Sequence, residues 1–141
     1  MAQARRRHDH APAHGPDGPS TGFIQDGSHR EAVIKGLAGS VHDWAEHPAQ
    51  SINYLTCHDN LVLFDKLRLS QPAATESETI AAMKLGYLLL FTAQGVPFLH
   101  GGEEFARSKG GHHNSYNAGD EVNQLDWNRK RRHHDLFRYT R

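Results

Sequence analysis

The chain has 141 residues, with 16 Lys+Arg against 16 Asp+Glu and a formal net charge of +0 at pH 7. That length implies about one domain, and the charge balance excludes a strongly basic nucleic-acid binder steered by net charge. Leu, Ile, Val and Phe make up about a fifth of the residues, the lower edge for a globular protein, without the high net charge that accompanies disorder. A folded but core-poor chain is the expected product.

The single cysteine, Cys57, excludes an internal disulfide framework and any Cys-based zinc finger. Twelve histidines invite a metal reading. Pro12 keeps His10 and His14 off a common helical face, and the adjacent doublets His112-His113 and His133-His134 diverge rather than converge on one ion. No metal and no cofactor are expected.

In chain order, residues 1–21 hold Pro12, Pro16 and Pro19 with Gly15, Gly18, Ser20 and Thr21 and no apolar periodicity, which reads as a disordered leader. Arg5-Arg6-Arg7 imitates the start of a signal peptide, but His8 to Ser20 is polar where the apolar core belongs. The longest apolar run, Tyr87 to Phe91, is far short of the roughly 20 residues that span a bilayer. The expectation is a cytoplasmic chain with no membrane partner.

Order is expected from about Gly22, with a short helix over Glu31 to Leu37 and an irregular connection from Gly39 to Pro48. Ser51 to Cys57 suits a short, largely buried strand, with the polar triplet His58-Asp59-Asn60 at its C-terminal end. Leu61 to Leu69 suits one or two helical turns. Thr75 and Glu78 form a capping-box pattern for a long helix running to about Gln94, stopped by Gly95. Ile80, Met83, Tyr87 and Leu88 give that helix one apolar face, and Leu85, Leu89 and Phe91 cover much of the rest, which demands neighbours on more than one side. Val96 to His100 reads as a second buried strand. Strand, helix, strand in this order implies a parallel pair with a right-handed crossover, hence an α/β fold.

Beyond that strand, Ser108 to Asp120 is loop-like and rich in Gly, His, Asn and Ser. Arg129 to Arg132 has one nearby aromatic, Trp127, and reads as a solvated helix start rather than a nucleic-acid patch; a last helix begins near His134. Gly101-Gly102 and Gly110-Gly111 lack the setting of a phosphate cradle. The adjacent Glu103 and Glu104 diverge in direction and read as loop support, not an acid/base pair.

Two polar clusters follow the two strands, His58-Asp59-Asn60 and the tract His100 to Asp120, at the edge where parallel α/β folds build active sites. A carboxylate and an imidazole there can bind sugar hydroxyls, phosphates or a metal. Taken together the motifs are more specific. Ser51 to Leu67 resembles the fourth conserved region of the α-amylase superfamily, glycoside hydrolase family 13, and most of all its type I pullulanase, debranching branch. Gln94 to Phe105 resembles that family's eighth barrel strand, and Lys109 to Trp127 resembles its substrate loop. The resemblance covers residues 22–141.

It implies an incomplete (β/α)8 TIM barrel, about the last two βα units, behind the leader of residues 1–21. The implied activity is hydrolysis of α-1,6 branch linkages in an α-glucan such as pullulan, amylopectin, glycogen or a limit dextrin. By position, Asp59 is the carboxylate that stabilises the transition state and His58 its hydroxyl-binding neighbour. Asn60, Tyr116, Asp120 and Asn123 fall where the family's loops contact glucose units. The family's nucleophilic Asp, which follows an arginine on the fourth strand, and its acid Glu have no counterpart here. Gly22-Phe23-Ile24-Gln25-Asp26 is the nearest imitation and lacks the arginine. A whole barrel takes about 250 residues. The expectation is therefore a C-terminal portion of a catalytic barrel, inactive by itself. The alternatives are a non-catalytic α-glucan-binding remnant and a truncated gene product that aggregates because its parallel strands lack partners.

Overall fold

The computed structural model describes residues 18–41 and 43–141. The disordered arm expected at the N-terminus thus lies, over residues 1–17, outside the described residues. Gly18 and Ser20 are tied to the helix Leu63–Ser70. Lys66 Nζ donates to the carbonyls of Gly18 (2.6 Å) and Ser20 (2.8 Å), and Ser70 Oγ donates to that of Ser20 at 3.0 Å.

Helices α1 (Phe23–Asp26) and α2 (Arg30–Leu37) lead through a 3₁₀ turn at Pro48–Gln50 to strand β1 (Ile52–Asn53). Helices α3 (Leu63–Ser70) and α4 (Glu76–Thr92) return the chain to β2 (Val96–Pro97). A 3₁₀ turn at Glu103–Phe105 then precedes α5 (Asp120–Asn123), α6 (Trp127–Arg132) and α7 (His134–Tyr139). The described residues are thus mostly helical around one two-stranded parallel sheet, in the strand–helix–strand order expected.

Helix α4 starts where the capping box requires. Glu78 N donates to Thr75 Oγ1 at 3.2 Å, and the Glu78 carboxylate accepts from Thr75 N at 2.7 Å, so two otherwise orphaned amides are satisfied. The helix ends at Thr92, and Gly95 follows at φ +118°. A Cβ at Gly95 would stand 2.8 Å from the Ser51 carbonyl oxygen and 2.9 Å from Asn53 Nδ2. Only glycine allows the turn to press this closely on β1.

Ile52 pairs with Val96 and Asn53 with Pro97. Val96 N donates to Ser51 O and Phe98 N to Asn53 O, each at 2.8 Å, so the missing N–H of Pro97 falls on the side away from β1. The ladder is shorter than the sequence pattern promised, and the strands are not buried. Ile52 is 62% exposed, Tyr54 54%, Val96 48% and Phe98 44%. Side chains alternate across a sheet, so these four share one face, where the Tyr54 and Phe98 rings meet edge-on with centroids 6.2 Å apart. Leu55 and Leu99 instead pack on the hydrophobic core. The face bearing Leu55 and Leu99 is packed, and the face bearing Ile52, Tyr54, Val96 and Phe98 stays about half open to solvent.

The core gathers Leu63, Leu67, Ile80, Met83, Tyr87, Ala106 and Leu136. Within α4 the buried stripe is Ile80, Met83, Tyr87 and Leu90, while Leu88, expected in that stripe, lies half exposed with Leu85 and Phe91. The cause is helical geometry: position 88 stands about 100° around from Tyr87, whereas 90 closes the 3.6-residue repeat. Glycine 86 lets neighbours approach the same helix. A Cβ there would come within 2.9 Å of methyl carbons of Ile24 and Leu55.

Arg129 departs from the solvated helix start expected of its segment. Its Nε donates to the Ala106 carbonyl at 2.6 Å, and its guanidinium lies over the Phe64 ring, 4.5 Å from the centroid. Its neighbours Arg131 and Arg132 are exposed. The apolar surroundings of Phe64 make the stacked cation worth more than another hydrated charge.

This division of the apolar residues is measurable. Met83→Ala is expected to cost about 2–5 kcal/mol in urea unfolding, because the cavity opens in the closed core. Val96→Thr, on the open sheet face, is expected to stay within about 0.5 kcal/mol of wild type. Equal losses would show that the sheet face is closed in solution.

Candidate functional site

Parallel pairing sends both strands out at one edge, so residues 58–60 and residues 100–123 emerge on the same side of the sheet. His58, Asp59 and Asn60 are exposed there, with His58 Nε2 3.6 Å from Asp59 Oδ2. Asn60 holds φ +62°, a left-handed turn that asparagine tolerates, and it redirects the chain into Leu61 and Val62, both buried. The exposed triplet is therefore mounted on an anchored segment.

From the second strand, His100 stands beside it. His100 Nε2 lies 3.4 Å from Arg107 Nη1, and Arg107 also donates to the Gly101 carbonyl at 3.1 Å. Burial holds the His100 ring below its ordinary pKa, and the positive charges of Arg107, Lys109 and His58 push the same way.

The loop 108–123 is fastened at three places. The first is Asp65, buried in the opening turn of α3. Its Oδ1 accepts from Ser108 Oγ at 2.5 Å, and its Oδ2 accepts from the backbone amides of Lys109 (2.7 Å) and Gly111 (3.1 Å). Next, Lys109 Nζ donates to Ser115 Oγ at 2.7 Å inside the loop; burial lowers this lysine's pKa. Last, Arg107 Nη2 donates to the Asn123 carbonyl at 2.5 Å, and Asn123 Nδ2 donates to the carbonyls of Ser115 (2.8 Å) and Ala118 (3.0 Å).

The predicted residues are thus placed in three different settings. His58, Asp59 and Asn60 stand together at the end of β1. Tyr116 (85% exposed) and Asp120, the first residue of α5, present their side chains to solvent from the loop. Both amide protons of Asn123 are committed within the loop. Asp65, Arg107, Lys109 and Ser115 are functional-site neighbours that no sequence motif singles out. The available signal was a charge out of pattern: Asp65 interrupts the apolar run Leu61 to Leu67, where a carboxylate must find donors.

Glu103 and Glu104 point apart. The Glu104 carboxylate accepts from Gly102 N at 2.9 Å, whereas Glu103 is 1% exposed and its carboxyl oxygens have no hydrogen-bond partner among the described residues. Burial raises the Glu103 pKa to about 8, with the like charge of Glu104 adding to it. Asp26, the nearest imitation of a nucleophile, is the last residue of α1 and accepts hydrogen bonds from Thr21 and Ser28 close by in sequence. Hydrogen bonds from Ser28 and Thr21 lower its pKa to about 2. Among the described residues no three His, Cys, Asp or Glu side chains stand together as metal ligands, and no helix is long and apolar enough to cross a membrane.

Known proteins define the class. No family model matches the chain. The pullulanase of Bacillus subtilis is 39% identical over 129 residues, 86% of this chain and 18% of that protein. The chloroplastic pullulanase 1 of Arabidopsis thaliana is 36% identical over 106 residues, 71% of this chain and 11% of that protein. Among solved structures, the Bacillus acidopullulyticus pullulanase superposes with TM-score 0.85 at 45% identity, covering 89% of this chain and 16% of its own. That of Paenibacillus barengoltzii, solved with maltohexaose and α-cyclodextrin, gives 0.82 at 43%, covering 85% and 20%. The class is that of glycosidases, hydrolases of carbohydrate metabolism. Within it, the chain belongs to the pullulanase, debranching branch of glycoside hydrolase family 13, and it spans less than a fifth of the B. subtilis pullulanase.

The buried Glu103 makes stability depend on pH. Its folded pKa, about 8, exceeds the ordinary 4.5, so between those values the folded chain keeps a proton that the unfolded chain has released. The stability this proton contributes is complete below the lower value and is lost as pH rises through the upper one. Glu103→Gln is expected to remove that loss and to raise the thermal midpoint over wild type near pH 8. Thermal unfolding of both chains from about pH 5 to about pH 8 checks it; parallel curves would refute the linkage.

Proposed function

We propose that the chain is the part of a debranching glycoside hydrolase that binds an α-glucan and stabilises the transition state, built on an incomplete (β/α)8 barrel. The observation that carries this is the shared edge: His58-Asp59-Asn60 and the fastened loop 108–123 leave two parallel strands on the same side. Active sites of such barrels sit at the C-terminal ends of the strands. The open sheet face of Ile52, Tyr54, Val96 and Phe98 supports the barrel reading as well, because purely parallel sheets are normally covered on both faces.

In this reading Asp59 grips sugar hydroxyls as the ring flattens towards an oxocarbenium-like state. A carboxylate hydrogen bond that strengthens there lowers the barrier rather than merely tightening binding. His58 donates to a neighbouring hydroxyl. Asn60, Tyr116 and Asp120 meet adjoining glucose units, Tyr116 offering a ring face, while Asn123, expected beside them, shapes the loop from within. Residues 22–141 form the barrel portion, behind the leader of residues 1–21.

Retaining hydrolysis takes a nucleophile and a proton donor about 5–5.5 Å apart, in addition to this third carboxylate. None of the motifs assigned here supplies that pair. The 141-residue chain is accordingly expected to release no reducing ends from pullulan while binding maltohexaose saturably. Asp59→Asn and Asp120→Ala are each expected to weaken that binding roughly tenfold, the scale of a lost hydrogen bond to a charged group. Calorimetric titration and a reducing-end assay on the purified chain decide it. Reducing ends released by the wild type and abolished in Asp59→Asn would refute the non-catalytic part. A chain blind to maltohexaose would refute the glucan reading and leave a truncated product without stable function.

A further inference from the structure

Among the described residues, the buried carboxylate of Asp65 joins the two halves of the proposed site. It lies on the segment Leu61 to Leu67, in which Leu61, Val62, Leu63 and Leu67 are also buried, so its Cα cannot drift relative to His58-Asp59-Asn60 just upstream. Across 43 to 46 residues of sequence it takes three donors from the start of the other half, Ser108 Oγ and the amides of Lys109 and Gly111. The loop backbone is bent to make this possible. Gly110 and Gly111 hold φ +63° and +80°, turning successive amides inward, with Gly110 N on Ser108 Oγ at 3.1 Å. Concave runs of N–H groups of this kind select an anionic acceptor.

The partners of Asp65 are an oxygen-bound proton and two amide protons, and one of its oxygens takes two of them. An ionised carboxylate, which only accepts, satisfies all three. An asparagine keeps an oxygen for the two amides but must turn its NH2 group to Ser108 Oγ, reversing that bond, and it carries no charge to strengthen the other two. Lys109 and Ser115 then carry the constraint inward, and Asn123 ties the far end of the loop to Ser115 and Ala118.

We propose that Asp65 is a positioning residue: it holds the loop 108–123, and with it Tyr116 and Asp120, in register with His58 and Asp59. The glucan part of this inference rests on the function proposed above; the loop-holding part does not.

The test compares wild type, Asp65→Asn and Ser108→Ala as purified full chains, by hydrogen exchange and by maltohexaose titration. Asp65→Asn is expected to speed exchange of the Lys109 and Gly111 amides about tenfold, the loss of a charge-assisted hydrogen bond, with α4 amides unchanged. Ser108→Ala, which removes one donor at the loop end, is expected to move the same amides less. Maltohexaose affinity is expected to fall about tenfold in Asp65→Asn while the thermal midpoint moves little, a split that a purely structural role would not produce. Unchanged loop exchange in both variants overturns the proposal, as does a loosened loop with undiminished affinity. Should Asp65→Asn unfold, Ser108→Ala decides: wild-type loop exchange in that variant overturns it. A wild-type chain that ignores maltohexaose overturns the glucan reading instead, and exchange alone then decides whether Asp65 holds the loop.

Discussion

Pairing Ile52 with Val96 in parallel obliges the chain to travel the whole length of the sheet and back before the second strand can form. Most other features of the molecule are consequences of that crossover. Helix α4 supplies the return path, and its buried stripe of Ile80, Met83, Tyr87 and Leu90 forms much of the core. Gly95 lets the helix end fold tightly onto β1, and Tyr87 Oη donates to the Glu103 carbonyl at 2.8 Å, locking the turn beyond β2 to the middle of the helix. Because both strands run the same way, the polar segments that follow them share one edge. The chemistry is gathered by topology before any side chain is chosen.

What keeps that edge in order is a set of polar contacts rather than apolar packing. The loop 108–123 is poor in large apolar residues and contributes little to the core, so burial alone does not shape it. Its conformation instead rests on Asp65, Lys109, Arg107 and Asn123, each of which spends hydrogen bonds on loop backbone or on Ser115. Directional bonds of this sort specify one conformation where hydrophobic contact would permit several. They leave Tyr116 and Asp120 exposed to solvent.

The open sheet face has a matching logic. Ile52, Tyr54, Val96 and Phe98 are residues that suit a covered strand, and their exposure agrees with a chain that spans 16% to 20% of the solved pullulanases it matches. A parallel sheet packed on one side and about half open on the other retains the composition of a buried one. The sequence therefore reads as more buried than the described chain is.

Local rules explain what could be read in advance. The Thr75–Glu78 box set the start of α4, the alternation of strand and helix implied a parallel pair, and three motifs in order marked the pullulanase branch. All of these depend on neighbours close in sequence, or on motif order along the chain, so one sequence suffices. The extent of the strands, the choice of Leu90 over Leu88 for the core, the stacking of Arg129 on Phe64 and the convergence of Ser108, Lys109 and Gly111 on Asp65 were decided only in three dimensions. Each depends on which distant segments arrive at the same place, and a carboxylate 43 residues from its nearest partner leaves no periodic trace in the sequence.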